Sequence, residues 1–271
     1  MSQKTLHIGI LNLMHNKLAT IHDFQQILTT YPEFPVQLQF FYPKMHYLDQ
    51  PVPLEVQQNL TPLDLKTVAT LDAFIITGSP IEQIDFEDVV YMPEVKALLK
   101  VLDQVPTRLY LCWGAMAALY ELHQVQKHNL PQKIFGAYPH DILQNNNALL
   151  DGLPAHFIAP HARYAESNIE DIEADPDLVE VAKSQTDHLF LIQNKAQTES
   201  FLFSHLEYGG SGLDDEYLRE TSAHPTTHFL KPTVPQSTTS TLTTTFAWQQ
   251  TQRRFFKNWL TQVQRWATKT N

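Results

Sequence analysis

Two kinds of apolar segment alternate along the chain, and this alternation most constrains its fold. Short runs of strand length are followed by amphipathic stretches of helical length. The strand-like runs lie at His7–Leu13, Val36–Phe41, Ala73–Thr77, Arg108–Cys112, Leu189–Ile192 and Phe201–Phe203. The helix-like stretches lie at Ala19–Leu28, Val89–Leu102 and Ala115–Leu122. The alternation predicts a doubly wound, flavodoxin-like α/β fold whose mostly parallel sheet lies between helices.

The composition is that of one ordinary globular unit. The chain is 43% hydrophobic and 18% charged, which favours a single domain over residues 1–271. Within it, the Thr/Ser/Pro-rich stretch 231–245 is expected to be a mobile surface loop. Residues 246–267 are expected to form a terminal helix, whose aromatic face packs on the core or makes a homodimer contact.

Charge and hydropathy exclude several partners. A formal net charge of −10 argues against nucleic acid. No apolar run reaches membrane-spanning length, so no membrane span is expected. The N-terminus enters a strand without a signal-peptide layout, and the single cysteine fits a reducing compartment. A cytoplasmic location is therefore expected, and no metal site is predicted.

The only cysteine, Cys112, lies where an apolar strand turns sharply into a helix. The N–H groups and the dipole at a helix N-terminus stabilise a thiolate, which makes the thiol a better nucleophile. Gly114 is expected to let the backbone approach a bound acyl group. A lone buried cysteine is also common as inert packing, so a catalytic role for Cys112 needs support from a second motif.

The second motif is His205-x-Glu207, which follows the strand-like run that ends at Phe203. On an extended segment the two side chains point the same way, so Glu207 can orient the imidazole. His205 can then act as general base toward Cys112. With 13 histidines in the chain, one such pair can arise by chance at a surface. The order of the two motifs favours a Cys112–His205–Glu207 triad.

A hole for an oxyanion is expected beside the thiol. Gly78 and Ser79 follow one predicted strand, and Trp113 follows Cys112. Ligands of such sheets bind beyond the carboxyl ends of the strands. The backbone N–H groups of these three residues are therefore candidate oxyanion donors, although Thr77-Gly-Ser-Pro80 taken alone is simply a turn.

These motifs bring a resemblance into view. The order Cys-x-Gly, then His-x-Glu, resembles class I glutamine amidotransferases and, more closely, the homoserine O-acyltransferases of the same fold. The resemblance covers nearly the whole chain. Further matches in family order are Ile10–Met14 with Asn16-Lys17, Asp72–Pro80, Phe86–Tyr91, Lys133 with Gly136, Ala159–Tyr164, Glu216–Arg219 and Asn258–Leu260.

The resemblance implies an amino-acid O-acyltransferase that works through an acyl-cysteine, with acyl-CoA as co-substrate and no bound cofactor. It assigns Lys133 and Arg219 to binding of the amino acid. Without the resemblance, the sequence would indicate a solvated lysine and an arginine on a helix surface. Glu82 stands where, in this family, glutamate accompanies acetyl donors and glycine accompanies succinyl donors. A carboxylate there would repel a succinyl group, so acetyl-CoA is expected.

The acceptor stays open between L-homoserine and L-serine, which lead to methionine and cysteine biosynthesis respectively. Ala162 stands where the family has a serine that selects the amino acid, so a serine O-acetyltransferase member of the family is one of the two expectations. A pocket separates acceptors that differ by one methylene by only about 1–3 kcal/mol. A homoserine O-succinyltransferase, a glutaminase subunit and a non-catalytic binding protein of this fold remain alternatives.

Overall fold

One part of the sheet is entirely parallel. The computed structural model describes residues 4–234 and 246–268. The parallel strands are β1 (Leu6–Leu11), β2 (Val36–Tyr42), β3 (Thr61–Pro62), β4 (Ala73–Ile76), β5 (Thr107–Leu111) and β10 (Glu199–Leu202). They lie in the order β3-β2-β1-β4-β5-β10, with every neighbouring pair parallel. This arrangement confirms the α/β fold predicted from the alternation of segments.

The other part of the sheet is antiparallel. It contains β6 (Lys127–Ile142), β7 (His156–Ser167), β8 (Leu178–Ser184) and β9 (Leu189–Asn194), and it continues the order as β10-β9-β8-β6-β7. The sequence predicted β9 but not β6, β7 or β8. These three strands carry many polar residues, and β6 and β7 also contain prolines. They become strands through pairing with distant segments, which a local apolar pattern does not register.

Helices cover both faces of the parallel part. The helices of the described chain are α1 (Lys17–Leu28), α2 (Leu54–Asn59), α3 (Leu65–Val68), α4 (Met92–Leu102), α5 (Trp113–His123), α6 (Ile169–Ala174), α7 (Gly212–Ala223) and α8 (Gln249–Ala267). Of these, α6 packs on β8 and α7 packs on β7, in the antiparallel part. The apolar residues of α1 and α8 pack on one face, and those of α4 and α5 pack on the other. No helix in the described part of the chain is both long and apolar enough to cross a bilayer.

Several predicted boundaries move, among them the starts of two helices. The helix expected from Val89 begins at Met92, because Pro93 fits the first turn, where its missing N–H costs nothing. The terminal helix expected from residue 246 begins at Gln249. Of the loop expected at 231–245, residues 235–245 lie outside the described residues, while Thr233 forms a β-bridge with Gly136.

Candidate active site

Cys112 occupies a strained turn between β5 and α5. Its φ of 46° and ψ of −109° are unusual for a residue with a side chain, and such strain is typical of a nucleophile held at a strand-to-helix turn. The backbone N–H of Cys112 donates to the carbonyl of Leu202 at 2.8 Å, and its carbonyl accepts the N–H of Met116 at 3.0 Å. The turn is thus fixed by the sheet on one side and by the helix on the other.

Gly114 packs tightly against the end of β4, and its expected approach to an acyl group stays a prediction. A Cβ added to Gly114 would lie 2.7 Å from the carbonyl oxygen of Thr77 and 2.8 Å from that of Ile76. The missing side chain therefore lets the first turn of α5 approach the end of β4. This close approach brings Cys112 next to the residues that follow β4.

His205 and Glu207 are brought together by a turn and not by an extended strand. Strand β10 ends at Leu202, and the N–H of Tyr208 donates to the carbonyl of His205 at 3.0 Å. The Nδ1 atom of His205 lies 2.7 Å from Oε1 of Glu207. The expected pairing is present, but the fold produces it by reversing the chain over four residues.

Two contacts fix the imidazole in place. The backbone N–H of His205 donates to the carbonyl of Pro160 in β7 at 2.9 Å. The ring of Tyr208 stacks on the imidazole, with centroids 4.5 Å apart. Burial opposes the charged imidazole, but the Glu207 carboxylate and Cys112 beside it raise the pKa of His205 well above its ordinary value. The environment therefore favours an imidazolium when a proton leaves the thiol.

The thiol, the imidazole and Gly78 converge. A Cβ added to Gly78 would lie 3.3 Å from Cβ of Cys112 and 3.4 Å from Cε1 of His205. The structure thus brings together three residues that the sequence placed in separate segments. Among the described residues, Nε2 of His205 has no hydrogen-bond partner, which leaves it available to a proton from the thiol or from a bound substrate.

The candidate oxyanion donors lie in the same corner. Gly78 and Ser79 follow β4, and Trp113 is the first residue of α5. Within the described ranges, neither Gly78 nor Ser79 donates its backbone N–H to another residue. The Ser79 hydroxyl shares a 3.0 Å hydrogen bond with the hydroxyl of Tyr91, and Ser79 lines the same cavity as Cys112.

A cavity of about 480 Å³ opens over Cys112 and His205. Glu82, Ala162 and Arg219 also line it. Glu82 is buried, and its Oε1 accepts the backbone N–H of Tyr164 at 3.0 Å. Burial raises the pKa of Glu82. The residue expected to select the acyl donor therefore shares a cavity with the thiol.

A largely buried network of ion pairs lies on the side of the cavity that the resemblance assigns to the amino-acid acceptor, called here the acceptor side. Lys133 is not among the residues that line the cavity, and it is not the solvated lysine that composition suggests. Its Nζ lies 3.1 Å from Glu216 and 2.6 Å from Glu220, and its side chain is only 8% exposed. Arg219 pairs with Glu216 at 2.6 Å. The network joins β6 to α7 across the site.

Sequence analysis missed the two carboxylates in this network as site residues. Glu216 lies three residues before Arg219 on α7, and Glu220 directly follows it. The i,i+3 spacing of Glu216 and Arg219 was the sequence signal that could have indicated an ion pair. Burial opposes ionisation of Glu216, but Arg219 and Lys133 lower the pKa of that carboxyl below its usual value. Both carboxylates line the cavity and can meet a positively charged ligand group.

No group of three or more His, Cys, Asp or Glu side chains in the described ranges is arranged to hold a metal ion. The chemical groups that the structure gathers are a thiol, an imidazole, a carboxylate and backbone N–H groups. Such a set suits acyl transfer through a covalent intermediate.

Comparison with solved structures defines the class of fold. A glutamine amidotransferase from Thermotoga maritima aligns with a TM-score of 0.58 and 10% identity, over 98% of both chains. A glutamine amidotransferase from Methylobacillus flagellatus aligns with a TM-score of 0.53 and 14% identity, over 98% of this chain and 95% of its own. At such low identity the likeness shows the fold alone, which is that of the class I glutamine amidotransferases.

Sequence comparison then gives the family. The model of the homoserine O-succinyltransferase family matches residues 2–268, and the chain belongs to this family. Serine O-acetyltransferases from Lactobacillus acidophilus and Lacticaseibacillus casei are 46% and 45% identical to it, over 94% and 97% of this chain and 95% and 97% of theirs. A homoserine O-acetyltransferase from Lactococcus lactis is 32% identical over 95% of this chain and 80% of its own. The protein is therefore an amino-acid O-acyltransferase.

Proposed function

We propose that this protein transfers the acetyl group of acetyl-CoA to the hydroxyl group of L-serine, through an acetyl-thioester on Cys112. The observation that carries the choice of acceptor is the similarity to two serine O-acetyltransferases at 45–46% identity, over nearly the full length of both chains. The homoserine O-acetyltransferase from Lactococcus lactis is 32% identical, and one-fifth of its length has no counterpart in this alignment.

The first half-reaction loads the enzyme. The Cys112 thiolate attacks the thioester carbonyl of acetyl-CoA, and the bond between the acetyl carbon and the CoA sulfur breaks. The departing CoA sulfur takes the proton that His205 received from the thiol. The N–H groups of Gly78, Ser79 and Trp113 stabilise the oxyanion that forms on the way.

The second half-reaction regenerates the thiolate. The serine hydroxyl gives its proton to Nε2 of His205 while its oxygen attacks the acetyl carbonyl of acetyl-Cys112. The carbon–sulfur bond breaks, and O-acetyl-L-serine leaves. Glu207 holds the imidazole and stabilises its charged form throughout, which is consistent with the 2.7 Å contact between them.

The ion-pair network supplies the contacts for the amino-acid group. Arg219 lines the cavity and can hold the acceptor carboxylate, while the carboxylates of Glu216 and Glu220 can meet its ammonium group. Lys133 acts mainly through those two carboxylates, because it pairs with both from outside the cavity lining.

L-homoserine is the second candidate acceptor, because several relatives at 31–34% identity are homoserine O-acetyltransferases. Succinyl-CoA is the second candidate donor, because the family carries the succinyltransferase name. The buried Glu82 in the cavity argues against that donor, since two carboxylates would meet there.

An acceptor screen tests the proposal. The protein is mixed with acetyl-CoA and one amino acid at a time, and release of free CoA is followed. We expect the highest kcat/KM with L-serine, a lower value with L-homoserine, and none above background with L-alanine, which lacks the hydroxyl. A higher kcat/KM with L-homoserine than with L-serine would assign the homoserine activity instead.

The covalent step is tested separately. Incubation with acetyl-CoA and no acceptor should add one acetyl group to the peptide that contains Cys112, as read by mass spectrometry after acid quench. The Cys112→Ser protein should lack both the labile adduct and turnover. Turnover retained in Cys112→Ser, without an adduct in the wild type, would reject the acetyl-thioester.

A further inference from the structure

The N-terminal turn of α8 contacts the turn that carries Glu207. The Nε2 atom of Gln252 donates to the carbonyl of Leu206 at 2.6 Å and to the carbonyl of Tyr208 at 2.9 Å. The indole Nε1 of Trp248 donates to the same Tyr208 carbonyl at 2.9 Å. Gln252 is 7% exposed and Trp248 is 1% exposed. These hydrogen bonds are therefore shielded from competing water.

The two accepting carbonyls lie on either side of Glu207. The carbonyl of Leu206 belongs to the peptide plane before Glu207, and the plane after Glu207 is held by the Tyr208 N–H, which donates to the carbonyl of His205 at 3.0 Å. The carbonyl of Tyr208 belongs to the next plane, so fixing both carbonyls restrains the backbone on either side of Glu207 and the direction in which its side chain leaves the backbone. The second carbonyl belongs to Tyr208, whose ring stacks on the imidazole of His205. One side-chain amide on α8 thus holds the carboxylate and, through Tyr208, one face of the imidazole.

The carboxylate itself has few other restraints. Oε1 of Glu207 contacts His205, while Oε2 has no hydrogen-bond partner among the described residues. Many orienting carboxylates are held by bonds to both oxygens. Because Glu207 is held through one oxygen only, its alignment with Nδ1 of His205 depends on how firmly its backbone is held.

We propose that Gln252 is a positioning residue for acyl transfer, supported by Trp248, and that it keeps the Glu207 carboxylate on Nδ1 of His205 by fixing the carbonyls of Leu206 and Tyr208. This inference rests on the triad of the proposed function. It gives the terminal helix a part in catalysis, although no residue of α8 lines the cavity over Cys112.

The effect should appear in the chemical step and in the titration of His205. Loss of the Gln252 amide leaves the buried carbonyl of Leu206 without a donor and the carbonyl of Tyr208 with Trp248 alone, so the turn shifts to find other donors. A small displacement of an orienting group can lower a rate by up to about 100-fold. Because Glu207 raises the pKa of His205, its displacement should lower that pKa.

Several groups face the pair and must be separated from it in a pH profile. Cys112 and His161 lie near His205, and Asp23 on α1 faces Glu207. Burial, with Glu207 and Asp215 nearby, raises the pKa of Asp23 to about 7. Asp23 therefore titrates in the range of interest, and the profiles are best compared in an Asp23→Asn background.

The experiment compares Gln252→Met with Gln262→Met. Both glutamines are buried on α8, but the amide of Gln262 donates to the carbonyl of Gln197, away from the site. For Gln252→Met we expect a kcat about 10- to 100-fold below wild type, an acetyl-CoA KM within about twofold of wild type, and slower acetylation of Cys112 in a single turnover. The pH limb governed by His205 should move to lower pH. Gln262→Met should match wild type.

Trp248→Phe is the second variant, because it removes one donor and keeps an aromatic ring. We expect a smaller fall in kcat with the same direction of pH shift, and it carries the test if Gln252→Met does not fold. A wild-type kcat and profile in the folded variant, or an equal loss in Gln262→Met, would overturn the positioning role. If the wild type forms no acetyl-Cys112, the proposed function itself is wrong. If it forms acetyl-Cys112 and Gln252→Met behaves as wild type, only the positioning role of Gln252 is wrong.

Discussion

The two sides of the cavity are built by different means. The nucleophile side is made of backbone at the ends of parallel strands: the strained turn at Cys112, the glycine at Gly78 and the first turn of α5. The acceptor side is made of charged side chains, with Lys133 and Arg219 against Glu216 and Glu220, carried by β6 and α7.

This difference separates the chemical step from the choice of substrate. Backbone geometry cannot change without disturbing the sheet, so the nucleophile side suits a fixed reaction. Side chains on a hairpin and a helix can change one at a time, so the acceptor side suits variation among amino acids. Substitutions on the nucleophile side should therefore mainly lower the rate of acyl transfer, whereas those on the acceptor side should mainly change stability and substrate preference.

The largest expected effect is on the nucleophile side. His205→Ala should lower kcat by roughly 10²–10⁴-fold, because general-base catalysis is lost, and Glu207→Gln should lower it less. Since Glu207 raises the pKa of His205, Glu207→Gln should move the pH limb governed by His205 to lower pH. Steady-state rates across the neutral pH range check both, and unchanged turnover in Glu207→Gln would remove this residue from the mechanism.

On the acceptor side, Lys133→Met should cost stability. It removes one of the two cations that pair with the carboxylates of Glu216 and Glu220, while Arg219 still pairs with Glu216. The loss should therefore stay below the roughly 3–5 kcal/mol of a fully broken buried ion pair. The lowered pKa of Glu216 means that this stabilisation exists in the wild type above the ordinary glutamate pKa and fades as pH falls through the lowered value. The difference between variant and wild type should therefore narrow in acid.

Chemical denaturation at neutral and acidic pH measures this effect. Lys100→Met, which alters an exposed lysine on α4, should change the free energy of unfolding little. If the two variants are equally stable at neutral pH, the ion-pair network does not hold the acceptor side together.

Gly114→Ala tests how tightly the backbone of the nucleophile side is packed. The added methyl group would lie 2.7 Å from the Thr77 carbonyl oxygen, and such overpacking costs about 1–3 kcal/mol. Gly209→Ala is the matched control for unfolding, because its nearest contact would be 3.9 Å away. Equal stability of both variants would show that α5 can move away from β4 without penalty.

Glu82 lines the cavity together with Cys112 and Arg219, and its substitution should change the preference between acyl-CoA donors. Glu82→Gly removes bulk and charge from the cavity, so kcat/KM for succinyl-CoA should rise relative to acetyl-CoA, by about tenfold. Glu82→Gln keeps an acceptor for the Tyr164 N–H and should shift the ratio less. An unchanged donor ratio in both variants would place the acyl group elsewhere in the cavity.

The smallest effect is expected at Ala162. Ala162→Ser adds a hydroxyl to the cavity wall and should move the ratio of kcat/KM toward L-homoserine by about three- to tenfold, the value of one hydrogen bond. Ala165→Ser places the same change on β7 outside the cavity lining and should leave the ratio unchanged. A wild type specific for L-homoserine, with no shift in Ala162→Ser, would contradict this selection.

The nucleophile side could be predicted from the sequence because its signals are local. Each signal occupies a short stretch of sequence: an apolar run directly before Cys112, a helical stretch directly after it, and Gly78 directly after another apolar run. The central parallel strands β4, β5 and β10 are buried on both faces, so they appear as short apolar runs. Strand, turn and helix then place the thiol at the carboxyl end of a strand without any knowledge of distant contacts.

The sequence by itself determined the α/β class, the thiol at a strand end and the pairing of His205 with Glu207. Tertiary structure alone decided that this pairing occurs in a turn, that Lys133 is buried between two carboxylates, and that Gln252 holds the turn from the last helix. The physical reason is range. Burial and hydrogen bonding of a polar side chain depend on segments many residues away. Strands β6 and β7, which carry Lys133 and the carbonyl that accepts the His205 N–H, have no continuous apolar pattern.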